Sequence, residues 1–208
     1  MGLLQKILGS LTDRWATRAA ALGLTYGRKD PFDSRRELAM PLFRRGGGGG
    51  INGAMHGTWR GAEVRLLSLQ WHTRKTNQNE HWWLGLTPIP ARTSPLHIGR
   101  APPDDGSIDD LGLERVRFEL ADFDKGYLVY AKDPYAATAV VDQAMMSWLL
   151  TFDRQWDFEL ADGWLMAMRE DLRATPSPYE LEPVLEALFE FRDHIPRAAS
   201  SLFGETTA

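Results

Sequence analysis

Trp156-Asp157-Phe158-Glu159-Leu160-Ala161-Asp162-Gly163-Trp164-Leu165-Met166-Ala167-Met168 is the stretch on which the fold turns. Trp156, Phe158 and Leu160 alternate with Gln155, Asp157 and Glu159, the two-residue period of a half-buried strand. Asp162-Gly163 suits a tight two-residue turn, where both positions need residues that tolerate positive φ. Trp164 to Met168 then returns as a second strand. The pattern predicts a hairpin over 155–169 turning at Asp162-Gly163, with Trp156, Phe158 and Leu160 facing the core.

Working outward, strands dominate from residue 51. Met55 to Arg60 and Glu63 to Trp71 read as a hairpin about Arg60-Gly61, and His81 to Leu86 as a third strand ended by Pro88 and Pro90. Trp82 and Trp83 are adjacent, so their side chains point to opposite faces and both faces of that strand need covering. Leu96 to Ile98 is a short strand. Val116, Phe118 and Leu120 alternate with Arg115, Arg117 and Glu119, and Tyr127 to Ala131 is the expected antiparallel neighbour.

Helices frame these strands. Leu4, Leu8, Leu11, Trp15, Ala19 and Leu22 recur at gaps of three and four, predicting an amphipathic helix over 3–22 with Lys6, Arg14 and Arg18 largely off the stripe. Asp133-Pro134 opens a second helix, to residue 152, with an N-cap carboxylate followed by proline in the first turn. Ser177-Pro178-Tyr179-Glu180 has capping-box form and opens a third, over 178–195. The expected class is α+β: a mainly antiparallel six- or seven-stranded sheet with helices packed on it. The expected organisation is an N-terminal helix and extended lead-in over 1–27, a flexible Arg/Gly-rich loop over 28–50, an α+β domain over 51–197 and a frayed tail over 198–208. The loop assignment rests on Gly46 to Gly50, five glycines with no side chains to bury.

Several short pieces together resemble an uncharacterised bacterial family of soluble domains often carried behind N-terminal membrane helices. They are Trp15-Ala16, Gly23-Leu24-Thr25-Tyr26, Gly57-Thr58-Trp59-Arg60-Gly61, Val116-Arg117-Phe118-Glu119, Phe123-Asp124, Asp133-Pro134, Met145-Met146-Ser147-Trp148-Leu149-Leu150, Gly163-Trp164-Leu165 and Asp193-His194-Ile195-Pro196. The resemblance runs from about residue 15 to residue 197 and implies domain limits rather than a chemistry. This chain differs in having an amphipathic helix where such membrane helices would stand.

Composition narrows the function. The 208 residues contain no cysteine, which excludes disulfides, thiolate nucleophiles and Cys-ligated metals. No apolar run approaches the roughly 20 residues of a membrane span, and the N-terminus lacks the layout of a signal peptide. A cytoplasmic protein is the expectation, with the membrane surface as a second address. Residues 1–100 hold 15 Lys and Arg against 6 Asp and Glu, whereas residues 101–208 hold 9 against 22. In a single-core domain such halves fold against each other and their charges intermix.

No catalytic grammar emerges. Gly-x-Ser-x-Gly is absent and the five histidines are scattered. His72, Glu80 and His81 flank a polar hairpin tip and read as strand ends in preference to metal ligands. Asp104, Asp105, Asp109 and Asp110 lack the alternating ligand positions of a calcium loop. Gly46 to Gly50 lead into a strand and not into the helix of a phosphate loop. Trp59, Trp71, Trp82 and Trp83 in the basic half are strand aromatics, so nucleic acid is disfavoured. No catalytic residue, metal or cofactor is therefore expected. The expectation is a non-catalytic interaction module, an accessory subunit or adaptor of a membrane-linked or multi-protein assembly. Leu4, Ile7, Leu8 and Leu11 would touch a protein partner or, peripherally, a membrane, while Trp15 to Leu22 pack on the domain. The alternative is an apolar-ligand or lipid-binding domain with a Trp-lined pocket.

Overall fold

The computed structural model describes residues 14–44, 48–73, 78–90, 93–100, 111–152, 156–171 and 181–202. Among them one antiparallel sheet has nine strands: β1 Leu24–Gly27, β2 Gly48–Trp59, β3 Ala62–Thr73, β4 Gln78–Pro88, β5 Leu96–Arg100, β6 Glu114–Val116, β7 Tyr127–Ala131, β8 Asp157–Ala161 and β9 Trp164–Asp171. The fold class is α+β, but nine strands exceed the six or seven expected. Short pieces such as Leu24–Gly27 join the long strands by edge pairing, which local periodicity underweights. The order is β1-β2-β3-β4-β9-β8-β5-β7-β6. The β8–β9 hairpin thus lies between the β1–β4 meander and the β5, β7, β6 group. It turns at Asp162 and Gly163, with φ of 49° and 83°, and Arg60 and Gly61 repeat that geometry between β2 and β3.

Both faces of the sheet are buried. On the first lie the helix at residues 14–21 (α1), α4 Ala121–Gly126, α5 Pro134–Val140, α6 Gln143–Thr151, α7 Leu181–His194 and α8 Arg197–Leu202. Trp156, Phe158 and Leu160 point into this layer, where Phe158 and Phe191 stack at 4.3 Å and Trp148 packs beside them. Gly85 permits the close seat of α7, since a Cβ there would stand 2.7 Å from Val184 Cγ1. Trp15 packs on Trp83 at 5.0 Å, and Ala19 and Leu22 are buried, so this half of the N-terminal helix lies on the domain. Residues 1–13, and with them Leu4, Ile7, Leu8 and Leu11, fall outside the described residues.

The second face is covered by residues 28–44, where the sequence reading placed a flexible loop. They form α2 Ser34–Glu37 and α3 Pro41–Arg44, with Met40, Leu42 and Phe43 buried on Leu67, Leu69, Leu84, Leu86, Met166 and Met168. Four-residue helices span barely one turn, so no apolar position recurs and their apolar residues read as isolated. Gly48, Gly49 and Gly50 already belong to β2, opposite His72, Trp71 and Gln70; Gly46 and Gly47 lie outside the described residues.

Two further boundaries differ from the sequence reading. The single helix expected over 134–152 breaks at Val141, because Asp142 accepts the Met145 N–H at 2.8 Å and caps a new helix. The strand expected through Leu120 stops at Val116. Its continuation leaves the sheet and Phe118 packs edge-on to Phe123 in α4.

Trp156 is 4% exposed and its ring lies 5.4 Å from the Arg169 guanidinium carbon. Trp156→Ala should therefore lower unfolding stability by about 3–5 kcal/mol, measured by urea denaturation. An unchanged midpoint would show that the ring is not part of the core.

Candidate functional site

Charged and polar groups are buried where the second cover meets the central hairpin. β8 and β5 pair with Glu159 opposite His97. The Glu159 side chain faces away from Phe158 and Leu160, into the layer under α3. The residue is 0% exposed and His97 4%. Glu159 Oε1 stands 2.9 Å from His97 Nδ1, and Oε2 accepts the Leu42 N–H at 2.8 Å. Pro41 has no N–H, so Leu42 presents the first amide of α3, and the carboxylate fills a place that helix backbone cannot.

Gly99 makes room for the imidazole. A Cβ on Gly99 would stand 2.6 Å from His97 Nε2 and 3.5 Å from Asp157 Oδ1. Asp157 in turn accepts the Arg100 N–H at 3.2 Å. Among the described residues no hydroxyl hydrogen-bonds to His97, so a nucleophile–base–carboxylate chain lacks its first member. The arrangement satisfies a buried carboxylate and ties layers together.

A second tie starts from Arg65 on β3 and reaches over β4 to Trp164 at the start of β9. Arg65 is buried, donates to Ser34 Oγ at 3.2 Å and Glu63 Oε1 at 3.1 Å, and lies between two rings. Its guanidinium carbon is 4.1 Å from the Phe32 centroid and 4.4 Å from that of Trp164. The sequence offered no sign of either cluster, because Glu159 and Arg65 occupy positions that alternation assigns to an exposed face. Only the hydrophobicity of both Trp82 and Trp83 hinted that this face was covered.

The candidates raised from sequence are dispersed. No group of three or more His, Asp or Glu able to hold a metal occurs among the described residues. His81 pairs with Gln70 in the β3–β4 ladder, while the side chains of His72 and Glu80 lie outside what is described. The Asp104 to Asp110 loop also lies outside it. Trp83 is buried under α1 and Trp82 packs in the second layer, so these two do not form a base-stacking platform.

A cleft of about 190 Å³ opens where Ile89, Pro90 and Thr93 face the end of α7 and the start of α8. Arg192, Asp193, Ile195, Arg197 and Ala199 complete its wall, and none of its lining residues is a tryptophan.

With this geometry in view, comparison with known proteins gives a likeness of fold. The crystal structure of the mycobacterial trehalose monomycolate transport factor A is similar, with a TM-score of 0.62 over 90% of this chain and 95% of that one. Sequence identity is 14%, so what is shared is the architecture. No protein-family model and no curated protein matches the sequence. Among the described residues no helix is long and apolar enough to cross a membrane.

The Glu159 tie makes a specific demand on stability. Glu159→Leu leaves the Leu42 amide and His97 Nδ1 buried without their acceptor, and should cost about 2–5 kcal/mol. Glu159→Gln keeps an oxygen for Leu42 and an amide donor for the imidazole, and should cost less than half of that. Urea denaturation gives the ranking, and hydrogen exchange at Leu42 should accelerate in the Leu variant. Equal stability of the two variants would refute the role of the carboxylate.

Proposed function

We propose that this chain is a non-catalytic interaction module, an accessory component of a membrane-linked or multi-protein assembly. The observation that carries the reading is the seating of the N-terminal helix. Trp15 on Trp83, the Arg18–Glu182 ion pair, and buried Ala19 and Leu22 hold α1 on the domain. The same apolar stripe continues upstream in sequence through Leu11, Leu8 and Leu4. On this sequence pattern we assign the upstream half of the stripe to a second surface. The end-to-end likeness to a protein named as a transport factor supports an accessory role in place of a catalytic one.

That neighbour is named for the transport of trehalose monomycolate, which favours a second reading in which the ligand is a lipid. A Trp-lined pocket would serve it, yet Trp83 and Trp156 are committed to packing. The protein partner therefore leads.

Deleting residues 2–11 separates these readings. The truncated protein should melt within a few degrees of the intact chain and lose association with its partner, read by cross-linking and co-purification from the native host. Flotation with anionic liposomes checks the peripheral membrane contact. Co-purified lipid retained by the truncated chain, without any partner, would favour the lipid reading. Unfolding on truncation would make the helix plain core and remove the argument for an interaction role.

A further inference from the structure

We infer that the cleft between Ile89, Pro90 and Thr93 on one side and the α7–α8 corner on the other is an anchor site for an acidic peptide segment of a protein partner. The inference rests on the interaction-module reading and assigns that partner's chemistry. Four observations converge on it.

The first is unmet polarity. Thr93 is 5% exposed, lines the cleft, and its hydroxyl has no hydrogen-bond partner among the described residues. A buried hydroxyl left this way is unsatisfied, so a ligand for which the wall shifts enough to reach it is rewarded. Its backbone is already engaged, since the Thr93 carbonyl accepts the Asp162 N–H at 3.0 Å and fixes the wall against the β8–β9 turn.

The second is charge. Arg192 and Arg197 line the cleft against a single carboxylate, Asp193, and none of the three makes an ion pair among the described residues. The Arg192 guanidinium carbon lies 5.2 Å from the Phe189 ring centroid, and Arg60, from the β2–β3 turn, approaches the same ring at 6.0 Å. Phe189 is buried and gives Arg192, the one of these two arginines that lines the cleft, an aromatic surface to rest on. A guanidinium prepositioned on a ring keeps its N–H fork free for a carboxylate.

The third is size. Pockets for drug-sized ligands run to about 300–1,000 Å³, and at about 190 Å³ this cleft is too small for an acyl chain. It suits one anchoring side chain of a larger partner. The fourth is the floor. Ile89, Pro90, Ile195 and Ala199 are apolar, which matches the aliphatic stem of Glu or an aliphatic neighbour of Asp. Asp193 on the wall selects against a run of carboxylates and favours one or two.

The test uses the intact chain and two hexapeptides, acetyl-Gly-Leu-Asp-Asp-Leu-Gly-amide and its Asn-Asn counterpart, followed by NMR of backbone amides and Arg side-chain N–H groups. Saturable shifts should centre on Ile89, Thr93 and residues 192–199 with the acidic peptide. The Asn peptide should bind at least about tenfold more weakly, and affinity should fall with added salt. Arg192→Gln with Arg197→Gln should remove binding while preserving the amide spectrum elsewhere. Arg197→Gln alone, at an exposed position, gives an intermediate loss and covers the case in which the double variant misfolds. No saturable shift, equal binding of the two peptides, or undiminished binding to Arg197→Gln and the double variant would overturn the proposal. Because this titration leaves residues 2–11 in place, its failure is separate from unfolding on truncation, which sinks the interaction-module reading itself.

Discussion

The β8–β9 hairpin holds the two halves of this protein in one sheet. Its strand β9 pairs with β4 and its strand β8 with β5, joining the N-terminal meander to the C-terminal group. Register at this seam is consequential, because a slip of one residue exchanges the faces of every side chain. Slipped, Glu159 would replace Phe158 in the aromatic layer beside Phe191 and Trp148, with no partner for its charge. In register, the carboxylate meets His97 and the Leu42 amide. Apolar alternation drives the hairpin together, and one buried carboxylate makes the competing register unfavourable.

The two covers of the sheet are held by different physics. The helical cover sits on a continuous apolar cluster, and its polar contacts are mostly caps and rim pairs such as Arg18–Glu182. The cover formed by residues 28–44 is short and carries three large buried anchors, Met40, Leu42 and Phe43. It adds directional bonds from Glu159 and Arg65. Apolar packing tolerates small sliding, whereas a hydrogen bond into a buried carboxylate does not. Short helices with little area of their own are thereby given one position.

The legibility of the fold follows the same division. The central hairpin, its turn and the burial of Trp156, Phe158 and Leu160 were open to reading because pattern, turn chemistry and burial agree there. Adjacent Trp82 and Trp83 announced covers on both faces. The second cover itself was hidden, since α2 and α3 are one turn each, too short for the helical period to recur, and lie among Arg, Pro and Gly. Glu159 and Arg65 were hidden for a different reason. Alternation assigns a charged residue to water, and their burial is decided by segments 117 and 31 residues away in sequence. The break at Val141 depended on one capping bond from Asp142, against an apolar pattern that runs through it.

The described part of α1 and the cleft are connected through α7. Glu182, in the first turn of that helix, takes the ion pair from Arg18, and Arg192 and Asp193, in its last turn, form the wall of the cleft. Ten residues of helix separate them, a distance of about 15 Å. α7 is fixed along its length by Val184, Leu188 and Phe191 in the core and by the close approach at Gly85. The seat of α1 and the wall of the cleft therefore share one element that is packed on the sheet from its first turn to its last.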